Sequence, residues 1–92
     1  MARTLEVSEL RISRRTAEKL QDEHDLDPNE VRDAVEGVGR LPFSWNDDQR
    51  GRRAYVVTEV GGQAVLVVLY PAVGELGTVW NLGSAYAIPT EE

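Results

Sequence analysis

The chain contains no cysteine, which excludes disulfides, thiolate metal sites and thiol nucleophiles, and fits a reducing compartment. It has a single histidine, His24, so neither a two-histidine metal motif nor a two-histidine catalytic design can be built. Long hydrophobic runs are missing too. The most apolar stretch, Tyr55 to Val73, is interrupted by Glu59, Gly61-Gly62, Gln63 and Pro71, too often for the roughly 20 apolar residues of a membrane span. The first ten residues hold Arg3, Glu6 and Glu9 and no apolar core of a signal peptide. A cytoplasmic protein with no membrane partner is expected. Positive charge is absent from the rear of the chain: all ten Lys and Arg lie between Arg3 and Arg53, and only Glu59, Glu75, Glu91 and Glu92 are charged beyond them.

What is present fits one small domain of 92 residues, with 41% hydrophobic and 28% charged residues, ordinary soluble usage. Ten bases against 16 acids give a net charge of −6. Such a balance argues against a stand-alone nucleic-acid backbone binder, which needs net basic surface to release counterions. The front half is charged and helix-like, the rear half apolar and strand-like. Helices followed by strands point to α+β with an antiparallel sheet.

Residues 1–12 alternate only locally (Leu5, Val7; Leu10, Ile12) and read as a short strand or arm. Residues 13–39 read as two helices. Ser13 caps the first, whose apolar stripe is Ala17, Leu20 and His24. The second opens with the clearest local signal in the chain. Asp27 caps it, Pro28 takes the first helical position, Glu30 completes a capping box, and Leu26 with Val31 form a hydrophobic staple. Val31, Ala34, Val35 and Val38 make its inner face, and Gly37 or Gly39 stops it.

Residues 40–53 read as loop, because of Pro42, Asn46-Asp47-Asp48 and Gly51, although Leu41 to Trp45 also suits a short edge strand. Residues 54–88 read as an antiparallel meander of three strands. Ala54 to Val60 alternates, Gly61-Gly62 supplies the two positive-φ positions of a tight hairpin, and Ala64 to Tyr70 reads as a central strand covered on both faces. In Thr78 to Ile88, Trp80, Leu82, Ser84, Tyr86 and Ile88 share one face. Gly83, Ala85 and Ala87 fall on the other, a small-residue face open to close approach by a helix or partner. Residues 89–92 are expected to fray.

Several residues invite chemistry. Asp25, Asp27, Asn29, Asp33 and Glu36 fall on calcium-loop positions 1, 3, 5, 9 and 12, but Glu30 occupies the position that needs glycine and Pro28 interrupts the loop. A capped helix accounts for the same residues, so no metal and no cofactor is expected. His24 is a candidate base by residue type, or simply the end of an apolar stripe. Arg40, Trp45, Arg50, Arg52 and Arg53 form the one locally basic patch with an aromatic, suited to phosphate contact and base stacking, or to a solvated loop. Gly37-x-Gly39 lacks a third glycine and a preceding strand, which rejects a dinucleotide loop.

Lys19-Leu20, then Glu23-His24-Asp25-Leu26-Asp27-Pro28-Asn29-Glu30-Val31, then Ala64 to Tyr70 and Trp80-Asn81-Leu82-Gly83-Ser84-Ala85-Tyr86 together resemble the BrnT toxins of the RelE-like superfamily. The resemblance runs from about Thr16 to Ile88. It implies a RelE-like fold: two short N-terminal helices packed on an antiparallel sheet of three or four strands. It also implies the toxin of a type II toxin–antitoxin pair, cleaving RNA without a metal through side chains that stabilise phosphorane charge. In that reading Tyr86, standing where the family has arginine, is catalytic with Arg53 and His24, while Arg40, Trp45, Arg50, Arg52 and Arg53 bind RNA. The partners would be a cognate antitoxin and RNA, and a homo-oligomer is admitted. A different class of function is a non-catalytic module that uses its sheet, by edge pairing in particular, to dock another protein.

Overall fold

The computed structural model describes residues 3–49, 51–72 and 77–89. The order of elements is β1 (Thr4–Glu6), β2 (Glu9–Arg11), α1 (Arg14–His24), α2 (Pro28–Val35), β3 (Arg40–Pro42), β4 (Ser44–Asp48), β5 (Gly51–Val60), β6 (Gln63–Pro71) and β7 (Val79–Ala87). Both helices begin where their caps place them. Ser13 accepts from the Thr16 amide, and Asp27 accepts from the Asn29 amide at 2.9 Å. The first helix ends on Asp25 in the left-handed conformation, the second on Val35 with Gly37 (φ 72°) just beyond.

The sheet corrects the sequence-based architecture. It has five strands in the order β2-β7-β6-β5-β4, and it is mixed rather than antiparallel, because β2 runs parallel to β7. The helices are not N-terminal to the sheet: they connect β2 to β3, and a second ladder pairs β1 with β3. The expected pair of N-terminal helices on three or four antiparallel strands is therefore replaced. The reason is local. β1 and β2 hold three residues each with one inward side chain, Leu5 and Leu10, too few to carry a period-2 signal, and their partners lie far along the chain.

Most of the described residues of 40–53 are strand rather than loop: 40–42, 44–48 and 51–53. Asn46 and Asp47 sit in register with Arg53 and Arg52, and β5 begins at Gly51 instead of Ala54. The antiparallel ladder with β5 makes a strand of residues that otherwise favour turns. The Gly61-Gly62 hairpin forms, with both residues at positive φ (59° and 81°). Residues 73–76 of the expected turn before β7, and the end of the tail from residue 90, lie outside the described residues.

β7 changes phase. Val68 pairs with Ser84 but Leu69 pairs with Leu82, so Gly83 is the extra residue of a bulge. Trp80 and Leu82 face the core before it, and Ala85 does so after it. The expected small-residue docking face of Gly83, Ala85 and Ala87 does not exist: Ala85 is core, and the Tyr70 ring lies over Gly83 where a Cβ would fall.

One core fills the space between the helices and a single sheet face. Leu20, Leu26, Val31 and Val35 pack on Ala54, Val56, Val60, Val65, Val67, Leu69, Trp80, Leu82 and Ala85. Leu5, Val7, Leu10 and Leu41 close its end. The Trp80 indole donates to the Glu6 carbonyl at 3.2 Å, binding this closing ladder to the sheet.

Candidate functional site

The basic patch expected to bind RNA is dispersed. Arg40 lies in β3, with Nε 3.8 Å from Glu6 Oε1. Arg52 donates to Asp47 Oδ1 at 3.2 Å, and its guanidinium lies 5.2 Å from the centre of the Trp45 ring. Trp45 itself leans inward, edge-on to Phe43 at 5.0 Å and 6.1 Å from Trp80. Arg53 is on the opposite side of β5, its guanidinium 5.2 Å from the Tyr55 ring centre. Arg50 lies outside the described residues.

The expected catalytic trio is half assembled. His24, the last residue of α1, meets Tyr86 edge to face at 4.9 Å, and its Nε2 is buried with no hydrogen-bond partner among the described residues. Arg53 is elsewhere. Tyr86 is in register with Leu66 and Val57, whereas Arg53 lies two pleats further along β5 and two strands over. At ~3.3 Å per residue and ~4.8 Å per strand, their backbones are about 16 Å apart.

Asp25, Asp27 and Glu30, with Gln21, Leu26, Val60, Gly61 and Gln63, line an open cleft of ≈ 410 Å³ between the helix ends and the β5–β6 turn. Glu36 is not part of it. Its carboxylate accepts from the Leu10 amide at 2.8 Å, and Arg32 donates to the Leu10 carbonyl at 3.3 Å. Among the described residues no three His, Asp or Glu side chains converge as metal ligands. The Arg32 and Glu36 contacts have another consequence. They occupy the outer backbone groups of edge strand β2, which blunts that edge against a further strand. At the other edge, β4 is five residues long and carries acids. Edge pairing, the docking mode expected from the sequence, is thus disfavoured at both ends of the sheet.

The sheet face away from the helices is different in kind. Pleating places Arg53, Tyr55, Val57 and Glu59 there on β5, Leu66 and Val68 on β6, and Ser84 and Tyr86 on β7. Val57, Leu66 and Tyr86 form one cross-strand row, and Tyr55, Val68 and Ser84 the next. Val57 is 60% exposed and Tyr86 42%, two of the three large hydrophobic residues that are exposed among those described. A shallow groove of ≈ 270 Å³ lined by Pro42, Phe43, Ser44, Tyr55 and Val57 continues this surface to the rim. On β7 of this face Ser84 is 7% exposed, and its Oγ has no hydrogen-bond partner among the described residues. Sequence pattern had separated Tyr55, Val57 and Glu59 from the inner face of β5. It missed the rest, because the unbroken run from Ala64 to Tyr70 reads as buried on both sides, whereas Leu66 and Tyr70 are only half-buried.

Comparison with family models, curated proteins and solved structures finds no match to this chain. No helix among the described residues is long and apolar enough to cross a membrane.

Proposed function

We propose that the protein is a non-catalytic interaction module that docks a protein partner on the helix-free face of its sheet. One observation carries this reading: on the sheet face away from the helices Val57 stands 60% exposed beside half-buried Leu66, in a row that ends at Tyr86, where the ring meets His24 at the end of α1. The composition of the face supports it. Over β5, β6 and β7 two tyrosines, one arginine and aliphatic residues match the enrichment of aromatics and arginine at protein interfaces. A contiguous exposed apolar patch on a small domain is itself a sign of contact.

The ribonuclease expectation finds less support. Two of its arginines face carboxylates, its tryptophan is turned to the core, and Arg53 is distant from Tyr86. A phosphorane needs its donors within hydrogen-bond reach of one another's target.

The test is site-specific photocrosslinking in expressing cells. A photoreactive residue at Val57 is expected to yield discrete higher-mass adducts, and one at Asp33, on the outer helical surface, none. Absence of adducts from position 57, or equal adducts from both positions, overturns the reading.

A further inference from the structure

We infer that the partner enters as an extended segment that adds a strand to β5 beside Val57 and Glu59, with an apolar residue opposite Val57 and a basic residue opposite Glu59. The inference rests on the docking reading above and names the partner's chemistry. Its basis is a step in the sheet. β4 faces β5 only from Gly51 to Tyr55, so from Val56 to Val60 β5 is itself the edge strand. If the ladder ran on, Pro42 would face Val57, two positions beyond the Ser44–Tyr55 pair. Proline has no N–H to give, and β3 pairs with β1 instead.

The step leaves backbone groups open. Gly61-Gly62 is a two-residue turn, so Val60 and Gln63 form a hydrogen-bonded pair, and Thr58 and Val56 follow in alternation. The amides and carbonyls of Val57 and Glu59 therefore point away from β6. Among the described residues neither residue takes part in another backbone bond, and no side chain guards them as Arg32 and Glu36 guard β2. Two donors and two acceptors thus repeat at about 6.6 Å, two residues of strand. An extended chain matches them, and antiparallel pairing is the more stable of its two directions.

The surroundings set the side chains of that segment. A residue opposite Val57 shares its face with the groove of Pro42, Phe43, Ser44, Tyr55 and Val57, which takes an apolar side chain. Two positions away, a residue opposite Glu59 meets an exposed carboxylate. Beyond it Asp25, Asp27 and Glu30 line the cleft that reaches Val60 and Gly61. Lysine or arginine is drawn to that end by opposite charge, on a protein of net charge −6. The added strand needs neither Arg53, which lies on Tyr55, nor Tyr86, which meets His24.

The experiment keeps the photoreactive residue at position 57 of the full chain and varies Glu59. Its amide faces away from β6, so proline there removes no ladder bond. Glu59→Pro should lower the adduct yield roughly thirtyfold, whereas Glu59→Gln, which keeps the amide, should stay within about threefold. Glu59→Lys, also with its amide, should lower it roughly tenfold. Circular dichroism checks each fold. If Glu59→Pro does not fold, amide exchange decides: in the crosslinked complex the Val57 and Glu59 amides should slow at least about tenfold relative to the free chain. Yields alike for Glu59→Pro and Glu59→Gln, or amides that do not slow, overturn the added strand and leave the docking reading standing. A Glu59→Lys yield equal to that of the parent overturns the basic character of the segment. If position 57 crosslinks nothing in the parent, both readings fall.

Discussion

Along β5, Ala54, Val56 and Val60 are sealed beneath the helices, whereas Arg53, Tyr55, Val57 and Glu59, one residue out of phase, look the other way. The first set does what a core does: aliphatic side chains meet Leu20, Leu26, Val31 and Val35 and leave no polar atom to satisfy. The second set places an exposed valine among Arg53, Tyr55 and Glu59, whose apolar stems or rings end in a polar tip. They are too apolar for a solvated face and too polar for a core. Small domains have little sheet area to spare, so an apolar face without a helix above it is more simply explained by an intermolecular contact than by folding. The two sides of one strand thus separate stability from association.

The contrast can be broken first on the covered side. Leu20→Ala should destabilise the fold by about 2–5 kcal/mol, since it empties a fully buried site among other aliphatic side chains, and urea unfolding measures the loss. Gly83→Ala comes next. A Cβ there collides with the Tyr70 ring, and the overpacking should cost about 1–3 kcal/mol by the same measurement, unless Tyr70 turns outward. Asp27→Ala removes the cap on the Asn29 amide and should cost about 1 kcal/mol in thermal unfolding. Val57→Thr, on the uncovered side, should change stability of the monomer by less than about 0.5 kcal/mol while weakening association. Arg52→Ala should do least. Its bond to Asp47 is more than half exposed on both sides and is worth little in water. A large loss of stability from Val57→Thr, or none from Leu20→Ala, would erase the distinction between the two faces.

The helices were legible because their signals are short-range. Ser13 and the Asp27-Pro28 step mark starts that need no knowledge of the rest of the chain. The Gly61-Gly62 hairpin was legible for the same reason. What escaped depends on distant partners. β2 is three residues long and joins β7 from about 70 positions away, in parallel, where no turn announces the pairing. β4 is written in residues that favour turns, and only its backbone pairing with β5 across the hairpin makes it a strand. The bulge at Gly83 shifts the inner face of β7 by one residue, so strict alternation put Ala85 and Ala87 on the wrong side. The candidate site suffered most. An apolar run shows that residues are hydrophobic, not which of its two faces another element will cover, and the helices turn out to cover only one.

Hydroxyl-radical footprinting of the protein inside the cells that express it, against a dilute purified reference, tests the exposed face most directly. Val38, 53% exposed beyond α2 and off the sheet, serves as the internal control. The account predicts that Val57, Leu66 and Tyr86 are protected in cells while Val38 labels equally in both samples. Equal labelling of all four residues in both samples would contradict it.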